Sequence, residues 1–450
     1  MVNTPAALAH ALVAHCEHYL TAHKGPLTLG YSGGLDSTVL LHALVKAGAK
    51  QRLTAVHIHH GLQPLADTWL VYCEQECLRL GVKFEAVKLY LPGAFNVEGR
   101  ARRERRSALL QHTSAEGCLV LAQHQNDQAE TLLLQLLRGA GPQGLSAMQP
   151  LSQYQGHTIW RPLLGFLRSE LEQIAASWQL QWVEDPTNQE LEPDRNYLRQ
   201  RIIPELEQRW PQLVPTLARN AQLQHDAVIL QQQIAAEDWQ RLAHSQGGIS
   251  IPGFLQLSVE RQRNLLYRWV QARGITPPSH KVFARVWQEL LPARADANPQ
   301  VAWPAGVFCR HAEGLFLLTP TEMAATEHSQ ELQLLPKAQF QWGQGQLVVD
   351  KTNTMATEQR LYLPVEMETI TLAPVPKGAR LKIKGHHRQV REIWRTQGLP
   401  PWRRLQTPGV FHQGKLVAVV DVGVSDEVAA RLGTHFWALR WHGSEPKSQW

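Results

Sequence analysis

Six consecutive residues, Ser32, Gly33, Gly34, Leu35, Asp36 and Ser37, put an acidic side chain inside a turn of glycines and hydroxyls. Two glycines allow a tight turn with exposed N–H groups, and a helix opening there adds partial positive charge. Such a turn suits phosphate oxygens. Asp36 would repel a bare phosphate, so its place makes sense if it holds a Mg²⁺ ion that bridges phosphates. No lysine follows, so this is not the GxxxxGK[ST] loop. The competing reading is an ordinary Gly-Gly turn with Asp and Ser as helix caps. The full hexapeptide between a strand and a helix argues against it. A second acidic pair, Asp127 and Glu130, is spaced to share one helix face just after His124. Asp127 can join Asp36 on the metal, although spacing alone favours acidic capping of a helix start. Arg102 and Arg105 are three apart on a charged helix and can meet phosphate. Glu98, four residues before Arg102, offers a purely structural partner instead.

These residues need a scaffold, and the first half of the chain alternates as one. Apolar runs at 27–31, 53–58, 83–89 and 119–122 read as strands. Stretches 36–45, 65–80, 98–112 and 126–138 read as helices. Strand–helix repeats of about 30 residues predict an α/β fold with a parallel, Rossmann-like sheet and right-handed crossovers. Such sheets bind ligands beyond the carboxyl ends of their strands. From about 204 to 291 the chain turns Gln/Leu/Ala-rich and helical, with helices expected at 217–242 and 259–273. Strand-like pieces follow at 301–319 and a polar linker at 321–330, and 416–424 reads as one strand. The expected organisation is a catalytic domain at 1–215, a helical middle domain at 216–325 and a small basic α+β domain at 326–450.

The 450 residues are 44% hydrophobic and 19% charged, which excludes global disorder. No apolar run approaches the roughly 18 residues of a membrane span, and the N-terminal segment lacks the basic start of a signal peptide. Five cysteines without a CxxC pair exclude a disulfide scaffold and argue against a zinc ribbon. Cys73 and Cys77 read as buried on one helix face. A reduced, cytoplasmic setting is expected, with no membrane partner. The charge is local. Nine Lys/Arg against one Glu between 377 and 404 give +8 of a whole-chain +6, so the rest sums to −2. Lys382, Lys384, Arg388, Arg391, Arg403 and Arg404 lie there, with Trp394 and Trp402 as possible stacking surfaces. A local positive field of this kind attracts nucleic acid.

The hexapeptide 32–37 resembles the SGGxDS loop of the PP-loop ATP-pyrophosphatases. The resemblance implies ATP as cofactor with Mg²⁺, cleaved to AMP and pyrophosphate. Three further stretches narrow it: Val56-His57-Ile58-His59-His60-Gly61-Leu62; Asn96-Val97-Glu98 with Ala101-Arg102 and Arg105; and Gln123-His124-Gln125-Asn126-Asp127-Gln128-Ala129-Glu130-Thr131. Together with Glu184-Asp185-Pro186 and Arg195-Asn196, they resemble the bacterial tRNA(Ile)-lysidine synthetases. Gly398-Leu399-Pro400-Pro401-Trp402 resembles their C-terminal tRNA-binding module. The chain departs from the commonest family pattern at Gln123, Asn126, His59 and Arg106.

The resemblance implies ligation of lysine to C2 of the wobble cytidine in the CAU anticodon of tRNA(Ile), through an adenylated intermediate. Its partners would be that tRNA and L-lysine. It implies nucleotide contacts from 32–37, His60 and His124, metal contacts from Asp36 and Asp127, and catalytic roles for Asp36, Asp127, Glu130 and Arg102. Glu130, with Asp127 as the alternative, would hold the lysine ammonium and take its proton. Arg105 and the basic C-terminal residues would contact tRNA. The sequence leaves oligomeric state open, a homodimer among the options. Rival readings are a PP-loop tRNA thiolase, an amide-forming ligase on a small metabolite, and a non-catalytic RNA-binding relic.

Overall fold

The structure is a computed structural model. It describes residues 4–59, 66–89, 97–186, 190, 192–244, 247–294, 297–355, 360–431, 433 and 435–443, without the side chains of 66 and 97–102. It forms two compact units, Met1–Leu230 and Gln231–Trp450.

The first unit runs α1 (Pro5–Ala22), β1 (Leu27–Gly30), α2 (Leu35–Lys46), β2 (Leu53–His59), α3 (Ala66–Leu80), β3 (Lys83–Lys88), α4 (Val97–Gln111), β4 (Cys118–Val120) and α5 (Gln125–Leu137). Then come α6 (Pro142–Leu145), β5 (Leu151–Tyr154), β6 (His157–Trp160), α7 (Arg168–Ser177), α8 (Asp194–Tyr197) and α9 (Ile203–Arg209), with one π turn, Leu198–Ile202, between the last two. The long α10 (Leu213–Leu242) follows, and the division between units falls within it.

Its sheet has the order β3-β2-β1-β4-β6-β5, with β5 alone antiparallel. Parallel strands are buried on both faces, and adjacent residues therefore serve different cores. Ala55 packs with Leu27, Leu29, Val120 and Trp160 against residues of α1, α2 and α7. Its neighbour Val56 packs with Leu119 and Ile159 beneath Leu109 and Leu110 of α4. Leu40, Leu41 and Leu44 of α2 are fully buried, each stabilising by roughly 1.5–3 kcal/mol. The chain order reverses between β1 and β4, so the crevice beyond those two strand ends is the natural ligand position.

The second unit continues with β7 (Ile249–Ser250), α11 (Ile251–Leu255), α12 (Val259–Ala272), α13 (His280–Arg285), β8 (Gln300–Trp303), β9 (Gly306–His311), β10 (Gly314–Leu318) and α14 (Pro320–Met323). Antiparallel β7-β10-β9-β8 shares one core with α12 and the end of α10. The polar stretch expected as a linker is structured at its start. Glu322 caps α14 through the Thr319 amide at 2.7 Å and receives both Nη2 bonds of Arg273. Local polarity thus reflects a cap and an ion pair.

The remainder runs β11 (Gln330–Gln333), β12 (Gln339–Trp342), β13 (Gly345–Thr352), β14 (Leu361–Pro364), β15 (Thr369–Pro374), β16 (Arg380–Ile383), β17 (His386–Gln389), α15 (Val390–Thr396) and α16 (Pro401–Gln406). It closes with β18 (Pro408–His412), β19 (Lys415–Val419), β20 (Gly423–Val424), α17 (Asp426–Ala429) and β21 (Phe436–His442). Two sheets, β11-β15-β18-β19-β20 and β12-β13-β21-β14, enclose a common core, so this region is richer in strand than expected. The single strand expected at 416–424 is two strands, because Asp421 takes a left-handed turn at φ 59°.

Two expectations change here. Trp394 and Trp402 are not stacking surfaces. Trp402 is buried among Val307, Phe316 and Leu318, and Trp394 among Leu381, Val390 and Val419. The basic side chains around them are the exposed ones: Lys384, Arg388 and Arg391 face solvent, and Lys382, Arg403 and Arg404 are half-buried.

Candidate active site

The loop 32–37 leaves β1 and enters α2 at the carboxyl edge of the sheet. Gly33 has φ +80°, and a β-carbon there would come within 2.8 Å of Cys73 Sγ, so α3 presses the turn into shape. Its carbonyl accepts from Val183 N at 3.0 Å and Thr38 Oγ1 at 3.2 Å. Ser32 and Ser37 join through their hydroxyls at 3.0 Å. Gly34 is the N-cap of α2 and supplies no side-chain cap, so the helix keeps its first-turn N–H groups for a ligand. Gly33→Ala is therefore expected to cost at least roughly 1–2 kcal/mol from the left-handed backbone alone. Denaturant titration measures this, and an unchanged midpoint would show that the loop yields.

His124 precedes α5, at the end of β4. Its backbone N–H donates to Asp127 Oδ2 at 3.0 Å. Its ring is 2% exposed, with Nε2 3.6 Å from Asp36 Oδ2 and 3.5 Å from Asp127 Oδ2. One imidazole thus sits between the two acids expected at the metal. Arg168, the first residue of α7, pairs with Asp36 Oδ2 at 3.2 Å. Asn126 Oδ1 accepts the Arg168 backbone N–H at 3.0 Å and so caps α7 from α5. Gln123 accepts from Arg161 at 2.6 Å, and His59 contacts Asp67 at 3.1 Å. These departures from the family pattern thus have structural partners.

Glu130 is fully buried, and both its oxygens are engaged. Arg195 Nε donates to Oε2 at 2.5 Å and Arg199 Nε to Oε1 at 2.6 Å. Both guanidinium groups also reach Asp127 Oδ1, at 3.1 and 3.3 Å. A carboxylate holding two guanidiniums and closed to solvent has no free edge for a lysine ammonium, which speaks against the base role expected of Glu130. The sequence reading assigned no role to Arg195, Arg199 or Arg168. Two basic residues at i,i+4 were the available signal for the first two; nothing marked Arg168.

The electrostatics differ between the acids. Burial raises the Asp36 carboxyl above its ordinary value, and His124 and Arg168 only partly offset it. Burial also opposes ionisation of Asp127, but His124, Arg195, its hydrogen bond from the His124 backbone and Arg199 outweigh it, leaving that carboxyl below the usual range. Asp36 Oδ1 is buried with no hydrogen-bond partner among the described residues. An orphaned acid with a raised pKa fits a site that gains a cation with its ligand. Among the described residues no group of three His, Cys, Asp or Glu could hold a metal by itself. Asp36 and Asp127, both beside His124, match the one or two carboxylates that Mg²⁺ takes along with substrate phosphates.

Of the remaining expected residues, Arg105 is exposed on α4, while the side chain of Arg102 and all of His60 lie outside the described residues. All five cysteines are free and buried, and burial pushes the Cys77 thiol up to about 12.

A PP-loop domain family matches residues 8–206, a TilS substrate binding domain 249–316 and a TilS substrate C-terminal domain 370–441. The tRNA(Ile)-lysidine synthase of Pectobacterium atrosepticum is 35% identical over 437 residues, covering 94% of this chain and 96% of that one. The chain belongs to the tRNA(Ile)-lysidine synthase family. Its Serratia proteamaculans relative is 36% identical over 440 residues, covering 96% of this chain and 98% of the other. Among solved structures, a U34-tRNA thiolase of Methanococcus maripaludis with its [4Fe-4S] cluster aligns at TM-score 0.41 and 15% identity, over 49% of this chain and 80% of that one. A crystal structure of a TilS C-terminal domain aligns at TM-score 0.23 and 13% identity, over 26% and 98%.

Proposed function

We propose that this chain is a tRNA(Ile)-lysidine synthetase, which uses ATP to join lysine to C2 of the wobble cytidine in the CAU anticodon. The observation that carries the reading is the full-length family match, with Asp36, His124 and Asp127 converging at the crevice. Three modules at 1–215, 216–325 and 326–450 would divide the work, in the cytoplasm where ATP and tRNA meet.

The cytidine C2 oxygen attacks the α-phosphorus of ATP, and pyrophosphate leaves. The N–H groups of the first turn of α2 and Arg168 stabilise the charge that develops. Asp36 and Asp127 are the residues that would hold Mg²⁺, which when bound neutralises phosphate charge. Next, the lysine ε-amine attacks C2, a C–N bond forms and AMP leaves with the oxygen. Asp127, partly open to solvent where Glu130 is closed, would hold the incoming ammonium and take its proton, with Glu130 fixing the two arginines behind it. His124 orients phosphate or cytosine.

The thiolase reading is not favoured. A sulfur carrier needs an accessible thiolate, and every cysteine here is buried. Incubating the full chain with ATP, labelled lysine and tRNA tests the proposal. Label retained in RNA with matching pyrophosphate release supports it; release without lysine in RNA overturns it.

The C-terminal basic surface would hold the tRNA. Arg404 has its pKa lowered by burial and by its neighbours Arg391 and Arg395, a crowding of cations that a polyanion relieves. Replacing Arg388 and Arg391 by Gln should weaken tRNA binding and reduce the slope of log affinity against log salt by about 2. An unchanged slope would remove this surface from the interface.

A further inference from the structure

A cavity of about 300 Å³ opens in the C-terminal region. Arg403, Gln406, Asp421, Trp441 and His442 line it, with Thr407, Gly345 and Gly443. Arg403 and Gln406 are three apart on α16, and Gln406 is anchored by donating to Glu322 O at 2.6 Å. Trp441 lies across Gly345 of β13, where a β-carbon would collide with the indole. Glycine at that position lets the ring settle flat against the strand. Asp421 occupies the left-handed turn between β19 and β20 at φ 59°.

The chemistry at the walls is selective. A carboxylate only accepts hydrogen bonds, while a guanidinium only donates them. Guanine is the base that sets two adjacent acceptors, N7 and O6, beside two adjacent donors, N1–H and N2–H₂. Burial raises the Asp421 carboxyl above its ordinary value, and the Arg403 guanidinium, on the same cavity wall, offsets part of that rise. Asp421 keeps open surface although protein crowds its carboxyl group. An indole adds a stacking face of the kind single-stranded RNA binders use.

We infer that this cavity binds one unpaired guanine of an RNA, stacked on Trp441, with Asp421 accepting from N1–H and N2–H₂ and Arg403 donating to O6 and N7. Arg404, next to Arg403 on α16, and its neighbours Arg391 and Arg395 would carry phosphates of the same RNA. The inference rests on the reading of this chain as an RNA-binding enzyme.

The test is fluorescence anisotropy of the full chain with end-labelled heptanucleotides, UUUGUUU, UUUAUUU and UUUUUUU, with ATP saturating the nucleotide loop. The guanosine oligomer is expected to bind about tenfold more tightly than the other two, as one good bidentate contact provides. Asp421→Asn keeps a residue that tolerates left-handed backbone. It should abolish the preference and leave all-uridine binding unchanged. Equal binding of the three oligomers by the native chain, or a preference that survives Asp421→Asn, overturns the inference. Binding of whole tRNA is measured in parallel. If tRNA binds but the oligomers show no base preference, the pocket reading alone fails. If tRNA does not bind at all, the proposed function fails with it.

Discussion

Asp36→Ala will abolish pyrophosphate release while leaving tRNA affinity nearly unchanged. The carboxylate lies inside the phosphate loop, with one buried oxygen lacking a partner and the other facing Arg168 and His124. Its raised pKa means that folding gains little from ionising it without a cation. Removing it therefore should not lower the melting temperature. Turnover should fall by about 10²–10³-fold or more, the usual loss when one preorganised electrostatic group is removed. The basic surface proposed for tRNA is built from residues 382–404, so filter binding of tRNA should be intact. Normal pyrophosphate release in the variant would remove Asp36 from the chemistry.

Glu130→Gln should be more destructive to the fold than Asp36→Ala, although both residues are acidic and both belong to the candidate site. Glu130 neutralises two guanidinium groups that are themselves largely shielded, at 2.5 and 2.6 Å. An amide keeps the volume and loses the charge, leaving Arg195 and Arg199 competing for Asp127. Breaking a buried pair by removing one partner costs roughly 3–5 kcal/mol. For a unit of this size that corresponds to a fall of roughly 6–20 °C in melting temperature. Activity should fall as well, because the displaced arginines no longer hold Asp127. Glu130→Asp should recover part of the stability by restoring the charge. A Gln variant with unchanged melting temperature would show that Glu130 is not the anchor the geometry makes it, and would reopen its role as a base.

The contrast between these acids explains what could be read from the chain alone. Asp36 was legible because its neighbours are diagnostic: glycines and serines have few reasons to surround a carboxylate between a strand and a helix. Asp127 and Glu130 were legible as a pair on one face, but not as two environments. Their separation depends on Arg195 and Arg199, 65 to 69 residues away in sequence. Arg168 reaches Asp36 across 132 residues, and no local pattern encodes that distance. Asn126 shows the same limit. It looked like a departure in a motif and proved to cap α7. The tryptophans misled in the opposite direction. Trp394 and Trp402 lie within a basic run, yet their rings fill cores, while Trp441 lines the open cavity. Proximity in sequence to charge says little about which way an aromatic ring faces.

The amino-acid order by itself determined the alternation of strand and helix, the phosphate loop, the concentration of cationic charge near the C-terminus and the family resemblance, because each depends on neighbours a few residues apart. Only the tertiary structure decided which acid is buried under arginines, which is left with an unmatched oxygen, and which tryptophan stays available. Burial and charge pairing are set by groups brought together from distant parts of the chain, and the free energy of an ionised side chain follows those surroundings rather than its place in the sequence.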